Sequence, residues 1–383
     1  MAASSFERIR KAALQLHKKT GGKFAVASKV PLRGPADLKL VYTPGVGAVS
    51  SFLAKHPEEL RNYTMKGNSV AVVSDGSAVL GLGNIGPAGA LPVMEGKCLL
   101  FKKFANIDAV PIVLATQDDE EIVRVVKAIA PAFGGINLED IAAPRCFEIE
   151  ARLKRELNIP VMHDDQHGTA IIVLAGLLNA LKVVGKSLAK AKVVINGAGA
   201  AGTAVTKMLR LAGARNILVC DRKGIIYHGR SGLGKYKGEL ARLTNQKHEK
   251  GDLAAAMRHA DVFIGVSGPN LVSEAMVRSM ERNAIVFALA NPIPEIMPPL
   301  AKRAGARVIA TGRSDFPNQL NNSLVFPGVF RGALDHGVRA ITDAMKLRAA
   351  WAIASLVPRP TQQKIVPGMF DRRLVQTVAH VVH

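Results

Sequence analysis

One stretch, residues 192–221, constrains the fold more than any other. Lys192-Val193-Val194-Ile195-Asn196 is an apolar run of strand type. Gly197-Ala198-Gly199-Ala200-Ala201-Gly202 follows, then a helical stretch, Thr203 to Leu211, and a second strand-like run, Asn216 to Cys220, that ends at Asp221. Strand, G-x-G-x-x-G, helix, strand and an acid roughly 20 residues on are the parts of a dinucleotide-binding unit in their required order. Gly197 permits the tight turn, Gly199 lets a pyrophosphate approach the helix N-terminus, and Gly202 permits close packing of helix on strand. The bland alternative is a glycine-rich turn that binds nothing. The context of strand and acid favours a nicotinamide dinucleotide, with residues 197–202 around its phosphates. Asp221 suits the ribose 2′-hydroxyl of NAD, whereas Arg222 and Lys223 suit the 2′-phosphate of NADP. The acid comes first, so NAD is expected slightly ahead of NADP.

The pattern on either side is of the same kind. Strand-like runs recur at Ser69 to Ser74, Asp108 to Leu114, Ile159 to Met162, Asp261 to Val266, Ile285 to Leu289 and Ala306 to Ala310. A shorter one is expected at Lys23 to Ala27. Helical spacing covers Ser5 to Lys18, Glu121 to Ala130, Phe147 to Leu157, Thr169 to Val184, Gly332 to Val357 and Asp371 to Val382. Alternating strands and helices predict an α/β protein, and 383 residues suffice for two domains. The expected division is an N-terminal α/β domain for substrate and metal over 1–162, a Rossmann-like NAD(P)-binding domain over 163–330, and a helical C-terminal segment over 331–383.

Composition excludes several classes. No uninterrupted apolar run of about 18 residues is present, so no membrane span is expected. Cys98, Cys146 and Cys220 are far apart, which suits a reducing cytoplasm better than a disulfide framework or a thiolate zinc site. The basic start could resemble a transit peptide, but Glu7 and the run into Gly21-Gly22 favour an ordinary first helix. The net charge of +21 is spread along the chain with one Trp and four Tyr. That implies a field attracting an anionic substrate, not a specific nucleic-acid site.

Chemistry concentrates in Val161-Met162-His163-Asp164-Asp165-Gln166-His167-Gly168-Thr169. Two carboxylates and two histidines beside an apolar run are costly unless paired, hydrogen-bonded or bound to a metal. A polar loop capping a helix is the bland reading. This first pair directly follows the strand-like run Ile159 to Met162, and open parallel sheets gather their ligands at the carboxyl ends of strands. A second adjacent pair, Glu139-Asp140, ends the stretch Gly134 to Asp140. An earlier G-x-G-x-x-G, Gly81 to Gly86, lacks the second strand and acid of a dinucleotide unit. Its glycines fit close passage of backbone against backbone or against a ligand carboxylate. His163 and His167 serve equally well as site residues or as hydrogen-bonded core histidines.

Taken together, Tyr42-Thr43-Pro44-Gly45-Val46, Asp75-Gly76 with Leu80-Gly81-Leu82-Gly83, Glu95-Gly96-Lys97, Asn137-Leu138-Glu139-Asp140, His163 to Thr169 and Phe326-Pro327-Gly328 resemble the motif set of malic enzyme in its short prokaryotic form. They occur in that family's order. The resemblance implies oxidative decarboxylation of (S)-malate to pyruvate and carbon dioxide with NAD or NADP and Mg²⁺ or Mn²⁺. It implies that Glu139, Asp140 and Asp165 hold the metal, and that Lys97 is the general base with Asp164 beside it. Tyr42 would then protonate the enol, and Asn291 and Asn322 would hold substrate, with Asn291 also touching the cofactor. A homodimer is implied as well. Independent chemistry agrees: carboxylates suit Mg²⁺ or Mn²⁺, which serve as Lewis acids in decarboxylating a β-keto acid.

The chain departs from the family pattern at Ser77-Ala78, where larger members carry a substrate-binding Arg, and at Ala115 and Arg145, where Asp and Glu are expected. No role is assigned to Arg145 or Cys146. Two alternatives remain: malolactic conversion with retained cofactor, and a catalytically silent anion- or nucleic-acid-binding relative.

Overall fold

The computed structural model describes residues 2–383, with side chains from Glu7 onward. The first sheet has the order β2-β1-β3-β4 and is wholly parallel. Its strands are β1 (Ser69–Ser74), β2 (Asp108–Val113), β3 (Gly135–Leu138) and β4 (Val161–His163). All residues of β1, β3 and β4 are buried, so these strands read as continuous apolar runs, not alternating ones. Ser69 pairs with Asp108, Val70 with Gly135 and Ile136 with Val161, which brings the carboxyl ends of β1, β3 and β4 to one edge.

The second sheet has the order β10-β9-β8-β5-β6-β7. It comprises β5 (Lys192–Asn196), β6 (Asn216–Asp221), β7 (Gly224–Ile225), β8 (Val262–Gly265), β9 (Ile285–Ala288) and β10 (Val308–Thr311). Only β7 runs antiparallel. The chain moves outward from β5 through β6 and β7, then returns to β8 on the other side of β5. The order therefore reverses between β5 and β8, and a crevice opens at their carboxyl ends.

A helix over Asp164–Val184 joins the two sheets. Ile171, Ile172, Val173 and Leu174, which go once round its axis, are all fully buried, as expected of a helix enclosed by protein. It is long and apolar enough to cross a membrane, yet 67% of its most apolar window lies inside the protein. It packs on the helices Ala200–Leu211 and Asp343–Ser355. Buried Asn179 fixes the C-terminal segment to it, donating to Ala354 O and Ile365 O, each at 2.9 Å.

Three expectations need correction. The helix expected from Thr169 starts at Asp164, so both aspartates occupy its first turn, where the helix dipole favours them. Lys23 to Ala27 is not a strand, and Val26 is 89% exposed. Among the described residues no strand pairs with it, and the Lys23 backbone N–H instead donates to Glu95 Oε2 at 2.8 Å. The helix expected over Gly332 to Val357 is two helices, Phe326–Asp335 and Asp343–Ser355. Gly337 turns between them at φ +61°, and the Thr342 hydroxyl starts the second by accepting from Met345 N. Two helices over residues 35–41 and 45–55, unforeseen from their spacing, bury none of their residues.

Candidate active site

The carboxyl edge of the first sheet carries the acidic residues. Glu139 extends β3 by one bond, its N–H donating to Val73 O at 2.9 Å. Asp140 then turns away at φ +55°, and its own N–H donates to Asp165 Oδ2 at 2.8 Å. One carboxylate oxygen each from Glu139, Asp140 and Asp165 lies within 4.8 Å of the others. Burial, with Asp165 opposite, pushes the Asp140 carboxyl up to about 7. Glu139 is raised well above the usual carboxylate range, burial and its acidic neighbours outweighing Lys97. Asp140 Oδ2 is buried with no hydrogen-bond partner. An oxygen-only, mutually repelling donor set with an orphaned ligand atom fits a hard divalent cation such as Mg²⁺ or Mn²⁺.

Lys97 reaches this cluster from the helix Gly86–Ala105, which also escaped the sequence reading because Pro92 and its glycines dilute the helical pattern. The lysine is buried, not a solvated surface residue. Its Nζ donates to Asp164 Oδ2 in a short contact and to Glu139 Oε1 at 2.9 Å. It also stands 4.4 Å from the centroid of the Phe326 ring. Burial alone would lower its pKa, but Asp164, Glu139 and Asp165 hold it above the ordinary lysine range. Asp164 is itself pushed up to about 6 by burial, against the pull of Lys97.

Around this core the helix Arg145–Glu156 supplies two anchors missed from the sequence. Glu150 accepts from His163 N at 3.0 Å, so it satisfies the N-cap donor of the central helix. It also pairs with Lys154 at 2.7 Å and His167 Nε2 at 2.9 Å. His167 is thereby a hydrogen-bonded structural histidine. His163 is fully buried, with neither ring nitrogen bonded and Nδ1 3.8 Å from Asp165 Oδ2. Arg145 binds buried Asp75 at 2.9 Å and Asp119 at 2.6 Å. Asp75 in turn accepts from Ser77 N and Oγ, and Ala78 N donates to Asp140 O at 2.9 Å. The sequence clues to Asp75 were its place after a buried strand and its Asp75-Gly76 motif, neither of which pointed to Arg145.

Residues 22–154 match the family described as malic enzyme, N-terminal domain, and residues 166–382 match malic enzyme, NAD binding domain. The chain belongs to the malic enzyme family. It is 55% identical to the bifunctional malic/malolactic enzyme of Bacillus subtilis, over 98% of this chain and 92% of that protein. It is 57% identical to the NAD-dependent malic enzyme of Geobacillus stearothermophilus, over 94% of this chain and 76% of that protein. The crystal structure of the NAD-dependent malic enzyme of Thermotoga maritima superposes with a TM-score of 0.93 at 50% identity, covering 97% and 98% of the two chains.

In this member of the family the other expected site residues fall as follows. Asn322 packs beside Asp164, both crowding Gly168, where an added Cβ would lie 3.0 Å from Asn322 Cβ. Asn291 follows β9, with its carbonyl against Gly81 of the first half and its amide against Gly312. Gly197 turns at φ +122° after β5, and Gly202 packs directly on its carbonyl. Ala198, Gly199, Ala200 and Ala201 form the rim of that turn and are partly or fully exposed. Asp221 ends β6, but its Oδ2 is engaged by Arg230 at 2.5 Å and Lys237 at 2.6 Å. Burial would raise the Asp221 carboxyl, yet these two cations hold it at about 2. Arg222 and Lys223 are exposed beside it. Tyr42 is not brought to the cluster: it is 65% exposed between the two unburied helices.

Proposed function

We propose that the chain oxidises and decarboxylates (S)-malate to pyruvate and carbon dioxide with NAD or NADP. The observation that carries this reading is Lys97, buried between Asp164 and Glu139 beside the three-carboxylate cluster. Glu139, Asp140 and Asp165 would hold the divalent cation. The cation would supply the Lewis acid and the dinucleotide at the 197–202 turn the hydride acceptor. Lys97 takes the malate hydroxyl proton. To do so it must lose its own proton, and neutralising the surrounding carboxylates removes the charge that now holds its pKa up. Asp164 and Glu139 fix the ammonium in place, and Phe326 keeps water from one side of it. Asn322 and Asn291 orient the substrate from the two halves of the cleft. Tyr42 returns a proton to the enol carbon.

The exposed position of Tyr42 bears on assembly. The segment that carries it exposes Val26, Leu32, Leu40, Val41, Val46 and Phe52. Apolar exposure on this scale is a feature of interfaces. A homodimer that covered this arm would bury it and carry the tyrosine into a substrate cleft. We place the protein in the cytoplasm and expect no specific nucleic-acid partner.

The test is absorbance at the reduced-nicotinamide band with malate and Mn²⁺, using NAD and NADP separately, with analysis of pyruvate and lactate. Pyruvate with reduced cofactor is the expected result. Lactate without net reduction would favour the malolactic alternative, an activity named for the Bacillus subtilis relative. A folded protein that consumes no malate would overturn both. Asp165→Ala should lose turnover together with Mn²⁺ binding, read by the free-ion electron spin resonance signal.

A further inference from the structure

Glu295 is fully buried, and among the described residues it forms no ion pair, only hydrogen bonds. A carboxylate in that position is costly unless every lone pair is used. Burial raises its pKa, and the N–H groups of Ser267 and Ala290 only partly offset this. Its Oε1 accepts from Ser267 N at 3.0 Å and from the Ser267 hydroxyl at 3.4 Å, and its Oε2 accepts from Ala290 N at 3.1 Å. The residue beneath it on β8 is Gly265, where any Cβ would collide with the Glu295 carboxyl.

Those contacts lie at a defined place. Ser267 follows β8, and Ala290 follows β9 and precedes Asn291. Ser267 Oγ also accepts from Asn196 Nδ2 at 2.8 Å, directly across the β5–β8 crevice and next to the Gly197 turn. A dinucleotide whose phosphates were held by that turn and whose adenosine ribose met Asp221 would have the residues after β8 and β9 available for its nicotinamide half. Asn291 continues the link, since its carbonyl abuts Gly81 and its amide abuts Gly312.

We propose that Glu295 is a positioning residue for the reaction: it holds the loops after β8 and β9 so that the nicotinamide half of the cofactor and Asn291 meet the malate cleft. This rests on the crevice being the dinucleotide site. Glu295 touches neither cofactor nor substrate and acts through Ser267 and the Ala290–Asn291 backbone.

Glu295→Gln tests it. Gln keeps the volume and one acceptor but turns an NH₂ towards a backbone donor. Five quantities are compared with wild type: Kd for NADH by fluorescence, Kd for ADP-ribose, Kd for Mn²⁺, and KM and kcat for malate. NADH Kd and malate KM should each rise about tenfold, the effect of one unmet buried donor. ADP-ribose and Mn²⁺ should bind within about twofold of wild type. Unchanged NADH Kd and malate KM in folded E295Q would overturn the proposal, as would equal weakening of all ligands, which marks a purely structural role. Ser267→Ala breaks the link to Asn196 and the long 3.4 Å hydroxyl contact to Glu295 but keeps the Ser267 N–H on the carboxylate, and serves if E295Q does not fold. It too should weaken NADH more than ADP-ribose, and equal binding of both to S267A and wild type would overturn the proposal. Wild-type protein that binds ADP-ribose but not NADH would also overturn it, whereas binding neither would show that the cofactor reading itself had failed.

Discussion

Replacing Arg145 by alanine is expected to destabilise the protein by about 3–5 kcal/mol, the cost of leaving a buried charge without its partner. The figure follows from the environment of Asp75, which has 0% exposure and lies 2.9 Å from the guanidinium. At an effective dielectric of roughly 20, charges that close attract by about 6 kcal/mol. Part of that only offsets the desolvation both ions suffered on folding. The second pair, to Asp119, adds at most about 1 kcal/mol, because that side chain is 39% exposed. Urea unfolding followed by circular dichroism measures the loss. Arg145→Ala combined with Asp75→Asn should be more stable than Arg145→Ala alone, since the double variant strands no charge. The same variant should weaken Mn²⁺ binding, because the Asp75–Ser77 turn donates to the backbone of Asp140 through Ala78. A loss below about 1 kcal/mol, or no recovery in the double variant, would refute the assignment.

Two further expectations concern the cofactor edge and the arm. The folded-state pKa of Asp221 is depressed from its ordinary 3.8 to about 2. It therefore contributes stability that is complete above the unfolded value and fades as pH falls through about 2. Asp221→Asn should lack this component in an acid-unfolding titration, and Arg230→Ala should diminish it. A wild-type curve identical to that of Asp221→Asn would show that the pair contributes nothing. Tyr42→Phe and Lys97→Ala proteins should each be inactive as homodimers. If Tyr42 serves the partner's cleft, unfolding and refolding them together should restore about a quarter of wild-type activity, since half of the dimers then hold one intact site. The exposed position of Tyr42 in its own chain makes recovery the expected result, and a mixture that stays silent would assign the tyrosine to its own subunit.

Much of both sheets was legible because parallel strands buried on both faces leave unbroken apolar runs between Gly and Asp turns. Ser69–Ser74 and Lys192–Asn196 begin and end as the sequence suggests. The start of the central helix was not legible, because Asp164 and Asp165 look like loop residues until the dipole and Glu150 are in place. The helices around Tyr42 gave no signal, since helices with no buried face need no apolar stripe. Lys97 illustrates the limit most clearly. Spacing alone favours a solvated lysine, and only the packing of its helix on β1 and β2, which sets Nζ between Glu139 and Asp164, buries it. Asp221 is the converse case: it was legible as an acid after a strand, but Arg230 and Lys237, which occupy it, are brought there by chain folding and not by any local pattern.

The aromatic floor under Lys97 has a consequence for biosynthesis. Phe326 and Phe330 pack on Phe101 with ring centroids 4.6 and 5.5 Å apart, so the helix carrying Lys97 rests on a helix made much later. A nascent chain that has released β4 and the first turn of the helix after it already holds every acidic residue of the cluster but lacks the floor that seats the lysine. Contacts this distant in sequence slow folding and prolong the exposure of apolar surface. Chaperones that shelter hydrophobic surface would thus meet this chain before the Lys97 cluster is closed, and a stalled ribosome would release a fragment with a sheet but no seated lysine.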